Sequence, residues 1–228
     1  MSNQMANEPF YKSFLEKTGT QDYYLKHWIG KGGYEYLRNE AEHQYWINDV
    51  RLGLWRDVFS HTPDLKSVLE VGCGTGRNLK TIGEHFPEIG ARGIEPQPMG
   101  CYTAQNIGVD VEIGKAQDIP KDDNSFDMVF TFGVLIHIGP HLKKAFEEMF
   151  RVSKRYILIA EYIQPEWESF AADYIRKGPF DKALEQACPV REIYRCTWTE
   201  WINENIDDKV EVRLYAKDDG KHMAGTIR

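Results

Sequence analysis

Hydrophobic and polar positions alternate along this chain between two periods, and the alternation predicts an architecture before any motif is read. Trp46, Val50, Leu54 and Val58 recur at helical spacing and mark one apolar face of a helix. From Ser67 onward β-branched runs take turns with amphipathic ones. SVLEVG reads as a strand, Asn78 to His85 as a helix, ARGIEP as a strand, Met99 to Ile107 as a helix and VDVEIG as a third strand. Phe126 to Phe132 (FDMVFTF) is largely apolar, as a strand covered on both faces must be. His141 to Val152, entered through Pro140, is an amphipathic helix, and Arg155 to Ile163 is a further buried strand. Strands and helices in this order predict a mostly parallel, doubly wound α/β sheet with helices on both faces.

The last third changes character. Glu166 to Ala187 is expected to be helical, and VREIYRCTW and VEVRLYAK alternate as half-exposed strands do, so an antiparallel pair is expected at the sheet edge. The expected sheet therefore has seven strands, mostly parallel, with one antiparallel edge strand. Residues 1–61 form an N-terminal helical lid or substrate segment, 62–217 the main domain, and 218–228 a polar tail.

Composition narrows the class without naming the chemistry. A chain of 228 residues fits one decorated α/β domain, and no apolar run approaches the roughly 20 residues of a membrane helix. The start, MSNQMANEPFYKS, lacks the basic and apolar stretches of a secretory signal, so a cytoplasmic location is expected. Cys73, Cys101, Cys188 and Cys196 show no zinc or disulfide spacing and are expected to be reduced. The formal charge of −7 disfavours a phosphate backbone, so the expected partner is a small molecule, with no nucleic acid and no membrane.

The chemistry enters at Val68 to Arg77, VLEVGCGTGR, where a strand runs into a glycine-rich turn that opens a helix. Alternate glycines let the backbone turn tightly and let a ligand lie against it; the bland reading is a strand–helix turn and nothing more. The spacing is G-x-G-x-G, which lacks the third glycine that dinucleotide sites place around a pyrophosphate. Glu95 ends the second strand, where an acidic side chain can accept from both hydroxyls of a ribose. Turn and acid together specify an adenosine-type ligand.

The E-x-G-x-G-x-G run, the acidic end of strand two and the D-I-P…N-S-F-D run leading into strand four resemble class I S-adenosylmethionine-dependent methyltransferases over Ser67 to Ile163. That resemblance implies a Rossmann-like fold and S-adenosylmethionine as cofactor. It also implies that Gly72, Cys73, Gly74 and Gly76 line the methionine part, that Glu70 orders its amino group, and that Glu95 with Pro96 holds the ribose. Gly114 to Pro120 corresponds to the adenine clamp, with a backbone N–H at Ala116 or Gln117. Lys115 stands where an acidic or amide acceptor is frequent, leaving Gln117 or Asp118 to substitute. Phe132 ends strand four beside the cofactor.

A narrower resemblance is to methylases associated with pseudaminic acid biosynthesis. Phe132-Gly-Val-Leu-Ile-His-Ile-Gly-Pro140 and Ile159-Ala-Glu-Tyr-Ile-Gln-Pro165 carry it, with Trp28-Ile-Gly-Lys-Gly-Gly-Tyr34 and Arg38-Asn39 upstream. Gly32 replaces that subgroup's middle phenylalanine, and the spacing from tyrosine to Arg-Asn differs. It implies a sugar-linked acceptor.

Methyl transfer from a sulfonium is an in-line displacement whose main demand is positioning, and a hydroxyl or protonated amine acceptor must also lose a proton. His137, after strand four, is the candidate base, its alternative being a bond to neighbouring backbone. Tyr34 is a second catalytic candidate. Glu161 and Tyr162, ending strand five, orient an acceptor or else support residues that do. Arg38 pairs with the cofactor's carboxylate, pairs with an anionic substrate, or sits on a solvated face; Tyr36 and Trp28 are packing residues. Thr131-Phe-Gly-Val stands where DNA amino-methyltransferases carry Asn-Pro-Pro-Tyr, and no carboxylate cluster suggests a divalent ion, so no metal is expected. The expected function is methyl transfer to oxygen or nitrogen of a small polar metabolite, the alternative being a cofactor-binding accessory protein without turnover.

Overall fold

A computed structural model describes residues 48–163, 165, 168–170, 172–198 and 210–218. In chain order the elements are α1 (Asn48–Ser60), β1 (Ser67–Val71), α2 (Arg77–His85), β2 (Gly90–Glu95), α3 (Pro98–Asn106), β3 (Asp110–Ile113) and β4 (Phe126–Phe132). Two 3-10 turns (Leu135–His137 and Gly139–His141) then lead into α4 (Leu142–Val152) and β5 (Ser153–Glu161). The chain continues through β6 (Glu168–Phe170), β7 (Ala172–Lys177), α5 (Phe180–Ala187), β8 (Val190–Trp198) and β9 (Val210–Lys217). The five strands and three helices expected between Ser67 and Ile163 all form, within about two residues at each end, the usual fraying margin. At α3 the ends have a local cause: the Gln97 side chain accepts from the Met99 N–H and Pro98 occupies the first turn.

The sheet has seven strands in the order β3-β2-β1-β4-β5-β9-β8. β1 to β5 are mutually parallel, and β9 runs antiparallel to both β5 and β8. One strand is thus reversed, as expected, but it lies one place in from the edge, with β8 outside it. The helix expected over Glu166 to Ala187 is a correction. Among its described residues, Glu168–Phe170 and Ala172–Lys177 pair as the antiparallel strands β6 and β7, and Phe180–Ala187 is helical. Gly178-Pro179 accounts for the boundary, because proline removes an N–H and disfavours helical backbone at the preceding residue; the chain before it takes the extended alternative.

Alternation along the central strands divides the core in two. On one face Val68, Met128, Phe130, Leu158 and Val212 meet α1, α2 and α3, with Trp55 fully buried and its ring set edgewise 4.8 Å from that of Phe130. On the other, Leu69, Val129, Ile157, Ile159 and Tyr215 meet Phe146 and Met149 of α4 and Phe180 and Leu184 of α5. Leu54 and Val58, from the apolar face expected for α1, are buried on the first of these faces. A central strand covered on both sides ends with its C-terminal residues in the only polar gap left, between helices, and ligands of open α/β sheets bind there.

Candidate functional site

The turn after β1 owes its shape to its glycines. Gly72, Gly74 and Gly76 have φ of 75, 55 and 81°, a left-handed region that costs a residue with a Cβ roughly 1–2 kcal/mol. Gly72 and Cys73 donate to the Ile94 carbonyl at 2.8 and 3.0 Å, tying the turn to the end of β2, and Gly76 donates to the Cys73 carbonyl before α2 begins. Space is as restrictive as conformation. A Cβ on Gly72 would lie 2.7 Å from Cγ2 of Val134, and one on Gly93 of β2 would lie 2.6 Å from Sγ of Cys73.

Both acids of the motif are buried, Glu95 against this turn and Glu70 against the helix that follows it. Glu95 accepts from the Gly74 N–H at 2.9 Å and from the Gln97 N–H at 2.8 Å, so its carboxylate lies across the turn from β2. Glu70 accepts from the Asn78 side chain at 2.7 Å, and Asn78 accepts from Arg51 of α1 at 2.6 Å. The Arg51 guanidinium also stands 5.0 Å over the ring of Phe132 at the end of β4. Arg51 and Asn78 are candidate site residues absent from the motif. The available signal was that Arg51 shares the inward face of α1 with Leu54, Trp55 and Val58, where a charge needs a buried partner. All four cysteines are free thiols, and burial pushes the Cys73 thiol well up and that of Cys101 up to about 12.

On the expected adenine side, Ala116 is buried and Gln117 and Pro96 are half-buried. The Lys115 ammonium faces the Asp118 carboxylate at 3.8 Å. The end of this segment is held from α4. Glu148 accepts from the Ile119 N–H at 3.0 Å, while Arg151 donates to the carbonyls of Ile119 and Lys121. Arg151 also binds Glu148, and these bonds hold the Glu148 carboxyl down to about 2.

Across the turn lies the expected acceptor side. The chain leaves β4 through Gly133, whose φ is 67°, and Val134 fills the space in front of Gly72. His137 is half-buried on the following 3-10 turn, its backbone N–H donating to the Val134 carbonyl at 2.9 Å. Glu161 is fully buried, and its two oxygens accept from the N–H groups of Val134 and Leu135 at 3.0 and 3.1 Å. It therefore meets the loop's backbone, not an open acceptor space. Tyr162 is half-buried beside it, with the buried Lys177 ammonium of β7 placed 5.1 Å from its ring centre. Trp28, Tyr34, Tyr36, Arg38 and Asn39 lie outside the described residues. A surface depression of about 790 Å³ lined by Ser67, Gly90, Arg92 and Phe126 opens at the N-terminal ends of the strands, away from these groups.

This sheet order, with the glycine turn at the C-terminal edge of β1, defines a Rossmann-like fold. A solved SAM-dependent methyltransferase from Leishmania major shares it, aligning over 90% of this chain and 90% of its own with a TM-score of 0.62 and 15% identity. In sequence, residues 68–155 match a family described as a methyltransferase domain. The fatty-acid O-methyltransferase of Mycolicibacterium smegmatis is 33% identical over 47% of this chain and 43% of its own length. The norajmaline N-methyltransferase of Rauvolfia serpentina is 29% identical over 59% of this chain and 56% of its own. The chain thus spans about half the length of these curated relatives, and others are named for a tRNA and a sterol substrate.

Proposed function

We propose that this protein is an S-adenosylmethionine-dependent methyltransferase acting on oxygen or nitrogen of a small polar metabolite, with a sugar or sugar-nucleotide as the acceptor class. The observation that carries the reading is the Glu95 carboxylate lying across the Gly74 N–H. A carboxylate has about four acceptor positions, so one that takes the N–H groups of Gly74 and Gln97 has the capacity to meet the two hydroxyls of a ribose as well. The donor set fits the rest of the cofactor. Glu70 offers an anionic partner for an ammonium group, and the left-handed glycines of the turn between Gly72 and Gly76 let a ligand approach its backbone beside Val134. When bound, S-adenosylmethionine supplies an electrophilic sulfonium methyl.

The chain's own work is then positioning and proton removal. His137 takes the acceptor's proton, Tyr162 and Lys177 border the acceptor side, and the N-terminal segment ahead of α1 serves as the lid, with Tyr34 as a second catalytic group and Arg38 as the partner of the cofactor's carboxylate or of an anionic acceptor. A net charge of −7 supports a small acceptor over a nucleic acid. Among the described residues no helix is long and apolar enough to cross a membrane.

Calorimetric titration with S-adenosylhomocysteine and, separately, with NAD tests the reading. Binding of the first and not the second is expected; the reverse overturns it. Turnover with S-adenosylmethionine across a panel of sugars, sugar nucleotides and amines then separates the enzyme from a cofactor-binding accessory protein.

A further inference from the structure

Glu161 and Glu95 both end strands at this site, yet they are engaged differently. Glu95 spans the glycine turn, whereas Glu161 is sealed beneath the loop after β4 and gives one oxygen to each of two successive N–H groups, those of Val134 and Leu135. The Gly133 N–H donates to the Ala160 carbonyl at 2.8 Å, so the loop is pinned to the end of β5 at three consecutive residues. Held there, it places the Val134 side chain against Gly72 and leads directly into the turn that carries His137.

We infer that Glu161 is a positioning residue whose ionised carboxylate latches this loop, setting His137 on the acceptor side and Val134 against the cofactor turn. The inference rests on reading the Gly72–Gly76 turn as the cofactor site. Only a carboxylate accepts at both oxygens. A glutamine would turn an NH₂ toward one of the two N–H groups, and a protonated acid an O–H. Protonation is within reach, because burial pushes the Glu161 carboxyl up to about 7 against the opposing pull of the Val134 and Leu135 N–H groups and the Thr131 hydroxyl. The charged and titratable groups on the neighbouring elements are these. Glu211 is its register partner on β9 and is bound to Arg213, which also pairs with Asp181 of α5; Lys177 stands on β7; His137 and His141 lie on the 3-10 turns. The latch therefore tightens as pH rises through neutrality.

Amide hydrogen exchange and S-adenosylhomocysteine calorimetry on the full chain, at about pH 6 and about pH 8, test this with Glu161→Gln and His137→Ala. Glu161→Gln is expected to lose protection at Val134 and Leu135 and to weaken binding by about tenfold, what a hydrogen bond to a charged group is worth. Wild-type affinity is expected to fall several-fold on going to the lower pH. His137→Ala keeps that fall and Glu161→Gln abolishes it. Unchanged protection at both amides in a folded Glu161→Gln protein, or an unaltered pH dependence of its binding, would overturn the inference. Lost protection without any binding by the wild type would leave the latch standing and instead sink the cofactor reading.

Discussion

Gly72 sits where the two halves of the candidate site touch, and Gly72→Ala together with Val134→Ala measures that contact. Alanine at φ 75° pays roughly 1–2 kcal/mol for the left-handed backbone and recovers about 0.4–1 kcal/mol from the stiffer unfolded chain. Its methyl would lie 2.7 and 2.9 Å from the two Cγ atoms of Val134, well inside van der Waals contact. Such crowding costs about 1–3 kcal/mol. The sum for Gly72→Ala is about 2–4 kcal/mol. Val134→Ala alone removes two half-buried methyls, about 1 kcal/mol. If the contact is as described, the double variant no longer pays for crowding and falls about 1–2 kcal/mol short of the sum of the singles. Urea unfolding of the four proteins gives the cycle directly. Additivity within about 0.5 kcal/mol would show that Val134 does not abut the turn, and the link between the loop and the glycine turn would go with it.

Three further outcomes are expected. Glu95→Ala should weaken S-adenosylhomocysteine binding by about 1–3 kcal/mol in calorimetry, the cost of leaving buried polar groups unpaired, and unaltered affinity would move the ribose site elsewhere. Trp55→Ala should cost about 3–5 kcal/mol in urea unfolding, since the ring is fully buried against Phe130 and Phe59; less than 1 kcal/mol would mean that α1 does not dock there. The Glu148 carboxyl, held down to about 2, contributes stability that is complete above its ordinary value of 4.5 and is lost as pH falls from there toward 2. With the partly solvated Arg151 and Lys144 as partners, that contribution is about 1–2 kcal/mol, and unfolding measured across this acid range should show Arg151→Met flattening the slope.

The features legible in the sequence are those written in neighbouring residues. Val68 to Gly76 carries strand, turn and helix start in one run, and Glu95 is found by counting to the end of the next strand. Features that depend on distant pairings were not legible. Arg51 meets Asn78 across 27 residues, and Glu161 meets the Val134 and Leu135 N–H groups across 27 and 26. No local period reports such contacts. The position of β9 between β5 and β8 is set by sheet assembly, so the alternation of VEVRLYAK showed a strand without showing its neighbours. In β6–β7 a helical reading of the stretch overlooked the break at Gly178-Pro179.

Glu161 shows why a site residue need not be a stabilising one. An acid whose carboxyl is raised from 4.5 to about 7 by folding binds its proton more tightly in the native state. Its protonated form therefore favours folding fully below about pH 4.5, and that advantage disappears as pH rises through 7, a change of about 3 kcal/mol. Glutamine pays no such ionisation cost, so wild type should lose about 3 kcal/mol relative to Glu161→Gln between about pH 4.5 and about pH 8. Urea unfolding of the pair at matched pH reads this difference, and a gap constant within about 0.5 kcal/mol would show that the buried carboxyl does not titrate there. A variant that gains relative stability with rising pH while binding cofactor more weakly cannot owe its defect to a damaged fold. That opposition is what distinguishes a carboxylate kept to shape the loop from one kept to hold the sheet together.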